Sequence, residues 1–279
     1  MRVSRLKLAE IELQLTEKDR NILTALRTLS FMRTDQIKRL FFNPKNQQEV
    51  PRAYATATTR ALNRLMNKGL IQHLPRVVGG IRKGSQGRIW YLTEAGQRLL
   101  NLGKTEARQK VNLPSSMFLR HTLAVAECYT QFVTICRCKT EDDEGQSLEL
   151  VDIALEPDCW REYEKNGRRI SLRPDMSAVT ASGEYKDFWF VEMDLATEVV
   201  QDILRKCKRY CEYYETGIEQ NKTGVFPVVL FIVPDENRKE RLEEAISDMK
   251  VSRPRLFLII VPDELEGVLR SGAPTERLC

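Results

Sequence analysis

Three amphipathic helical segments followed by two short alternating segments constrain the fold of this chain more than any other feature. Apolar residues recur at helical spacing in Thr16–Leu29, Thr34–Phe41 and Ala53–Lys68, and Gly69 ends the last helix. Leu70–Val78 and Arg88–Leu92 alternate and predict a β-hairpin. Three short helices and a hairpin are the parts of a winged helix-turn-helix, which we predict for residues 1–102.

The segment that joins the two alternating stretches is rich in glycine and basic residues. Arg82 and Lys83 lie in this segment, Arg76 lies near the end of the first stretch, and Arg88 opens the second. A flexible basic loop beside a helix suits contact with phosphates or with the minor groove. We therefore predict that these four side chains bind DNA.

The third helix carries a polar face opposite its apolar stripe. The polar residues are Thr56, Thr59, Arg60 and Asn63. Arginine pairs with guanine, asparagine with adenine, and threonine with phosphate, so the face is a candidate for base recognition. Two alternatives stay open, a merely solvated face and a winged helix that binds protein.

Charge is divided unevenly along the chain. Residues 1–114 contain 22 Lys and Arg against 8 Asp and Glu, a net charge of +14, whereas the remainder contains 22 against 31, a net charge of −9. This asymmetry favours a nucleic-acid-binding module joined to a different domain.

Composition excludes several classes of protein. The longest apolar runs, Val225–Val233 and Leu256–Val261, are far shorter than the ~20 residues that span a bilayer. The N-terminus lacks the apolar core of a secretory signal, and the seven cysteines show no framework spacing, so we predict a cytoplasmic protein with reduced thiols and no membrane partner. With only two histidines a zinc site is disfavoured, and the absence of a glycine-rich phosphate loop ending in Gly-Lys-Ser/Thr argues against an ATP-driven motor.

Residues 103–114 are polar and end at Pro114, which predicts a linker before a second domain at residues 115–279. That domain mixes helices and strands, so the fold class is α/β (α+β). The predicted helices are Ser115–Cys138, Ala196–Tyr214 and Glu236–Met249. The predicted strands are Leu148–Leu155, Arg169–Thr180, Phe188–Asp194, Pro227–Val233 and Arg255–Val261.

Acidic residues lie on two of the predicted strands, at positions where a catalytic or metal-binding site would be expected. Asp175 belongs to an Arg-Pro-Asp sequence, and alternation places Glu192 and Asp194 on one face of their strand. If the strands are neighbours, three carboxylates converge, and such a group needs raised pKa values or a divalent cation. Mg²⁺ or Mn²⁺ held there would position a water against a phosphate. The alternative is a structural network with Arg173 and with the basic residues of the following helix.

The order of elements and these acids resemble the PD-(D/E)xK nuclease superfamily. The second strand holds Pro174-Asp175, and the third holds Glu192-x-Asp194, with Asp194 where the family has its lysine. The resemblance implies a restriction-endonuclease-like fold and a metal site of Asp175, Glu192 and Asp194. Some members carry the lysine on the next helix, which makes Lys206 a candidate catalytic residue and Glu127 a candidate additional acid.

The whole chain resembles the replication-relaxation family of plasmids and mobile elements. The resemblance rests on "LTEKDRNILTAL", "HTLAVAE", "LRPD", "FVEMD-ATE" and "KCKRYCEYY". It implies a role in plasmid replication and relaxation. The winged helix predicts double-stranded DNA as partner and a possible homodimer, and replication or transfer proteins are further candidate partners.

Three functions follow from these observations. The first is a DNA-binding protein whose second domain is a nuclease-like scaffold or partner-binding unit. The second is a metal-dependent DNA nickase or endonuclease, and the third is a winged-helix transcription regulator.

Overall fold

The computed structural model describes residues 3–43, 52–75, 87–102, 115–138, 147–248 and 254–273. It divides into two compact units, unit 1 at Met1–Thr134 and unit 2 at Ile135–Cys279. The fold is a mixed α/β fold, as the sequence predicted. No helix in the described ranges is long and apolar enough to cross a membrane.

Unit 1 is mainly helical. Its helices are α1 (Arg5–Leu13), α2 (Glu17–Leu29), α3 (Thr34–Phe41), α4 (Arg52–Asn67), α5 (Glu94–Leu100) and the first part of α6 (Ser116–Arg137). The three predicted helices of this region are confirmed to within one residue at each end, whereas α1 was not predicted. The division between the units falls inside α6, and the predicted linker at 103–114 lies outside the described residues.

Three short strands complete unit 1. They are β1 (Met32–Arg33), β2 (Ile71–His73) and β3 (Ile89–Leu92), in the antiparallel order β1-β3-β2. The predicted hairpin is confirmed, because His73 pairs with Trp90 and Ile71 pairs with Leu92.

A capping box begins α2, and one of its residues also joins α2 to α4. Thr16 accepts a hydrogen bond from the backbone of Asp19, and the Asp19 carboxylate accepts one from the backbone of Thr16, which forms a capping box. Asp19 is buried and also binds Arg64 of α4 at 2.6 Å. One acid therefore caps α2 and fixes α4 beside it.

Unit 2 is built on a five-stranded mixed sheet. Its strands are β4 (Leu148–Leu155), β7 (Met176–Ser182), β8 (Tyr185–Met193), β9 (Val228–Ile232) and β10 (Phe257–Ile260), in the order β10-β9-β8-β7-β4. The pairs β4–β7 and β7–β8 are antiparallel, whereas β8–β9 and β9–β10 are parallel. The parallel pairs follow helical crossovers, as parallel strands require.

One predicted strand is wrong. Arg169–Thr180 is two strands, because the chain leaves one sheet and enters another at Pro174, which has no N–H for a ladder. The first part is β6 (Arg168–Leu172), which pairs with the unpredicted β5 (Arg161–Lys165) in a separate hairpin, and the second part is β7.

Helices of unit 2 pack on its sheet, and two of them share one core with it. The helices are α7 (Val200–Tyr214), α8 (Ile218–Thr223), α9 (Glu236–Asp248) and α10 (Leu265–Ser271). Residues of α7 and α9 pack with Phe190, Val229 and Phe231 in a core rich in aromatic rings. The helix predicted at Ala196–Tyr214 starts four residues later, at Val200.

Candidate functional site

The polar face of α4 lies on the surface of unit 1. Thr56, Thr59 and Arg60 are exposed, and Asn63 is half-buried. The buried stripe is Thr58, Ala61, Leu62 and Leu65. Thr58 can be buried in this stripe because its hydroxyl donates to the Tyr54 carbonyl and is thereby satisfied inside the unit.

Two arginines one helical turn apart on α4 have different surroundings. Arg64 is bound to the buried Asp19, so its guanidinium is part of the packing of unit 1. Arg60 is exposed and forms no ion pair or hydrogen bond with the residues that the structure describes. Its five donors are therefore available to an outside acceptor.

The base of the hairpin contributes a second exposed cation. Arg88 is exposed, and its carbonyl accepts hydrogen bonds from the backbone N–H and the hydroxyl of Thr34, the first residue of α3. Trp90 also donates to the Thr34 hydroxyl, at 2.9 Å. These bonds join the hairpin to α3. The other predicted contacts, Arg76, Arg82 and Lys83, lie outside the described residues.

In unit 2 the structure brings together Asp175, Glu192 and Lys206, from the start of β7, the end of β8 and the middle of α7. Pairing of Met176 with Val191 sets the first two beside each other. The Asp175 N–H donates to the Val191 carbonyl at 3.0 Å, and an Asp175 carboxylate oxygen accepts from the Met193 N–H at 2.7 Å. The carboxylate is held at the end of the strand ladder, 7% exposed.

Glu192 is a buried carboxyl group with a partner on each oxygen. Lys206 Nζ donates to Oε2 at 3.1 Å, and the Tyr210 hydroxyl donates to Oε1 at 2.7 Å. Burial, and next the charge of Asp175, raise the pKa of Glu192 to about 7, against the lowering effect of Lys206 and Tyr210. A carboxyl of this kind is only partly protonated at neutral pH, and a nearby cation favours its ionised form.

The charges of Glu192 and Asp175 also affect the pKa values of Lys206 and Tyr210. Burial lowers the pKa of Lys206, but the carboxylates of Glu192, Glu198 and Asp175 outweigh it and keep the ammonium charged. Burial and Glu192 raise the pKa of Tyr210, which stays a neutral donor. The site therefore combines two carboxyl groups, one cation and one hydroxyl donor.

The expected convergence of three carboxylates is wrong, because Asp194 has a partner of its own. Arg238 of α9 donates to an Asp194 oxygen at 2.6 Å, and both side chains are buried. A second Asp194 oxygen caps the turn by accepting from the Ala196 N–H. Within the described ranges, no group of three or more His, Cys, Asp or Glu side chains is arranged to hold a metal ion.

Arg238 also binds the Glu198 carbonyl, at 2.8 Å, so it fixes the loop between β8 and α7. The helix that starts there carries Lys206 and Tyr210. Arg238 and Asp194 are therefore best described as positioning residues for this site. The cost of leaving a buried charge without its partner explains why they remain together.

Sequence reasoning missed two residues around this cluster. Tyr210 lies one turn after Lys206, so the spacing of four along a helix could have found it. Arg238 comes from a distant segment, and nothing local in the sequence indicates it. Glu127, expected as an additional acid, accepts hydrogen bonds from Arg39 and Gln36 inside unit 1.

The six cysteines that the structure describes belong to no group of three or more metal-ligating side chains. Cys128, Cys159, Cys207 and Cys211 are buried, Cys136 and Cys138 are half-buried, and none of these six forms a disulfide. Burial raises the pKa of Cys159 to about 12 and that of Cys136 to about 11, so neither is a reactive thiolate at neutral pH.

Comparison with known proteins gives one match. The family model described as replication-relaxation matches residues 23–229, well over half of the chain. Neither the curated proteins nor the solved structures compared with the chain give a match.

Proposed function

Because the chain belongs to the replication-relaxation family, we propose that it acts in plasmid replication and relaxation by binding duplex DNA through unit 1. The observation that carries this proposal is the exposed face of α4, on which Arg60 is without a described partner while Arg64 is committed to Asp19. A helix with exposed Thr and Arg side chains, followed by a basic hairpin, suits docking in the major groove.

The pairing of the strands supports a winged helix-turn-helix. β1 precedes α3, and β2 and β3 follow α4, so the three strands form a small sheet beside the helices. Residues 74–88 join β2 to β3 and contain Arg76, Arg82, Lys83 and Arg88. In this proposal these four residues contact the backbone beside the helix, and Thr56, Thr59, Arg60 and Asn63 contact the groove.

Titration of labelled duplex DNA tests the proposal. We expect Arg60→Ala to weaken binding by ~1–3 kcal/mol if Arg60 contacts a base. If the variant and the wild type bind DNA with equal affinity, α4 is not part of the DNA interface.

A second function, metal-dependent nicking of DNA, is favoured by the carboxylate cluster of unit 2. Asp175, Glu192 and Lys206 come from three separate elements and meet at one point. Two carboxylates fit a Mg²⁺ or Mn²⁺ ion, because Mg²⁺ keeps several waters and needs only one or two carboxylates from a protein. When bound, the cation would polarise a phosphate oxygen and lower the pKa of a bound water.

The chain's own groups would then have distinct roles. Asp175 and Glu192 would hold the cation, and Lys206 would stabilise negative charge on the phosphate. Tyr210 would fix the orientation of Glu192. Asp194 would not be a ligand, since Arg238 already neutralises it.

Supercoiled plasmid incubated with Mg²⁺ or Mn²⁺ separates this function from that of a nuclease-like scaffold. Under the nicking proposal the wild type produces open circles, Asp175→Asn does not, and the exposed control Glu184→Gln behaves as wild type. If the wild type leaves the plasmid supercoiled although it binds DNA, the domain acts as a scaffold or partner-binding unit.

A further inference from the structure

Basic residues of unit 2 are concentrated in two elements. Residues 135–279 contain 21 Lys and Arg against 30 Asp and Glu. Residues 161–173 and 200–214, the β5–β6 hairpin with its exit and α7, hold 9 of these basic residues and only 4 of the acids. These two elements therefore carry a net charge of +5, whereas residues 135–279 as a whole carry −9.

The hairpin lies along α7, so these charges form one surface. At the turn end of the hairpin, Lys165 pairs with Glu212 of α7 at 2.7 Å, and the Tyr163 hydroxyl donates to the same carboxylate. At its other end the hairpin leads through Pro174 into Asp175, whose charge acts on Lys206 of α7. The two elements therefore flank the carboxylate cluster together.

Four exposed cations on these elements form no ion pair with the residues that the structure describes. They are Arg168 and Arg173 of the hairpin and its exit, and Lys208 and Arg209 of α7. We call these four residues the hairpin–α7 basic face. By contrast, Arg169 is paired with Glu162 and Arg205 with Asp202.

Arg173 is the most strongly oriented member of the face. Its guanidinium lies over the Trp160 ring, 4.4 Å from the centroid, and its Nε donates to the Ser171 hydroxyl. Stacking holds the plane of the guanidinium and leaves its outer donors for an anion. Arg173 stands two residues before Asp175 in the chain, at the exit of the hairpin that leads to the carboxylate cluster.

We propose that the hairpin–α7 basic face binds the phosphodiester backbone of DNA and that Arg173 holds the phosphate next to the carboxylate cluster. This inference rests on the proposed DNA-binding function, but it adds a contact in unit 2 that is separate from α4 and the hairpin of unit 1. Phosphate is the ligand that suits an oriented arginine among unpaired cations.

The test compares two triple variants of the full chain with the same change in charge. One is Arg168→Gln/Arg173→Gln/Lys208→Gln, and the control is Lys186→Gln/Lys222→Gln/Arg241→Gln, three exposed cations of unit 2 outside the face. Binding to a non-specific duplex is measured over a range of salt. We expect the slope of log K against log salt to fall by about 2–3 for the first variant, since each lost phosphate contact removes ~0.9, and the control to keep the wild-type slope.

Equal slopes for the two triple variants would overturn the inference and leave the proposed function intact, provided that the wild type binds duplex. If the wild type does not bind duplex DNA, both this inference and the proposed DNA-binding function are overturned. If the triple variant does not fold, as judged by circular dichroism, the single variants Arg168→Gln and Lys208→Gln should each lower the slope by about 1. Arg173→Lys keeps the charge and loses the stacked geometry, so its slope should stay while its affinity falls several-fold.

Discussion

At the residue scale, the strongest physical constraint is the burial of Glu192. A carboxyl with 3% exposure beside a second carboxylate is costly to ionise. Its two hydrogen bonds offset only part of that cost, and its pKa stays near 7. Groups with such shifts concentrate at functional sites, although structural networks produce them too.

This shift predicts how stability depends on pH. The pKa of Glu192 rises from its ordinary value of 4.5 to about 7 on folding. The folded state therefore binds the proton more tightly than the unfolded state, and the stabilisation present at acidic pH is lost as pH rises from about 4.5 to about 7. Glu192→Gln keeps a neutral group at every pH, so its free energy of unfolding relative to wild type should rise by about 1–3 kcal/mol from pH 5 to pH 8.

Urea unfolding of both proteins at pH 5, 6, 7 and 8 measures this effect. Glu184→Gln, an exposed carboxyl between β7 and β8, serves as the control and should track the wild type. A difference between Glu192→Gln and wild type that does not change with pH would show that Glu192 is ionised throughout.

Residue types in the sequence indicated which side chains matter but not their partners. Lys206 was identified as a candidate, and it does lie at Glu192. Asp194 was grouped with Glu192, yet it binds Arg238, which is 44 residues away in sequence. Alternation along a strand gives the face on which a side chain lies, and only the packing of helices on that face decides which cation it meets.

At the element scale, helix spacing and caps predicted most boundaries in unit 1. The predictions of strands failed where pairing with a distant segment determines which sheet a strand joins. Arg168–Leu172 has a strand pattern in sequence, but nothing local indicates that its partner is β5 and not the main sheet. Hairpins formed by charged residues such as those of β5 lack the apolar alternation that would reveal them.

Close packing of α5 on the hairpin of unit 1 gives an element-scale prediction. A Cβ added at Gly96 would lie 2.1 Å from the Leu70 carbonyl oxygen and 3.0 Å from Leu92 Cδ2. Although alanine is the better helix former, Gly96→Ala should destabilise the protein by ~1–3 kcal/mol, because backbone must move to admit the methyl group.

Gly267 of α10 is the matched control. A Cβ there would meet nothing within 4 Å, so Gly267→Ala should be neutral or stabilising by up to ~1 kcal/mol. Thermal unfolding of the two variants measures both effects. A Gly96→Ala protein as stable as wild type would show that α5 does not pack closely against Leu70.

At the scale of the whole molecule, charge and family membership support the proposed function. The basic N-terminal region, the hairpin–α7 basic face and membership of the replication-relaxation family all suit the proposed binding of DNA. The charge division was visible in the sequence. The face in unit 2 was not, because its residues are separated along the chain and are joined only when the hairpin lies along α7.

In the proposed function, unit 1 binds duplex DNA through α4 and the base of its hairpin. Fluorescence anisotropy of labelled duplex at several salt concentrations, with Arg60→Ala/Arg88→Ala and the control Lys222→Ala/Arg241→Ala, tests this binding. We predict that wild-type affinity falls steeply with salt, that the unit 1 variant binds at least about tenfold more weakly, and that the control binds as wild type. A unit 1 variant with wild-type affinity and an unchanged salt slope would contradict the claim.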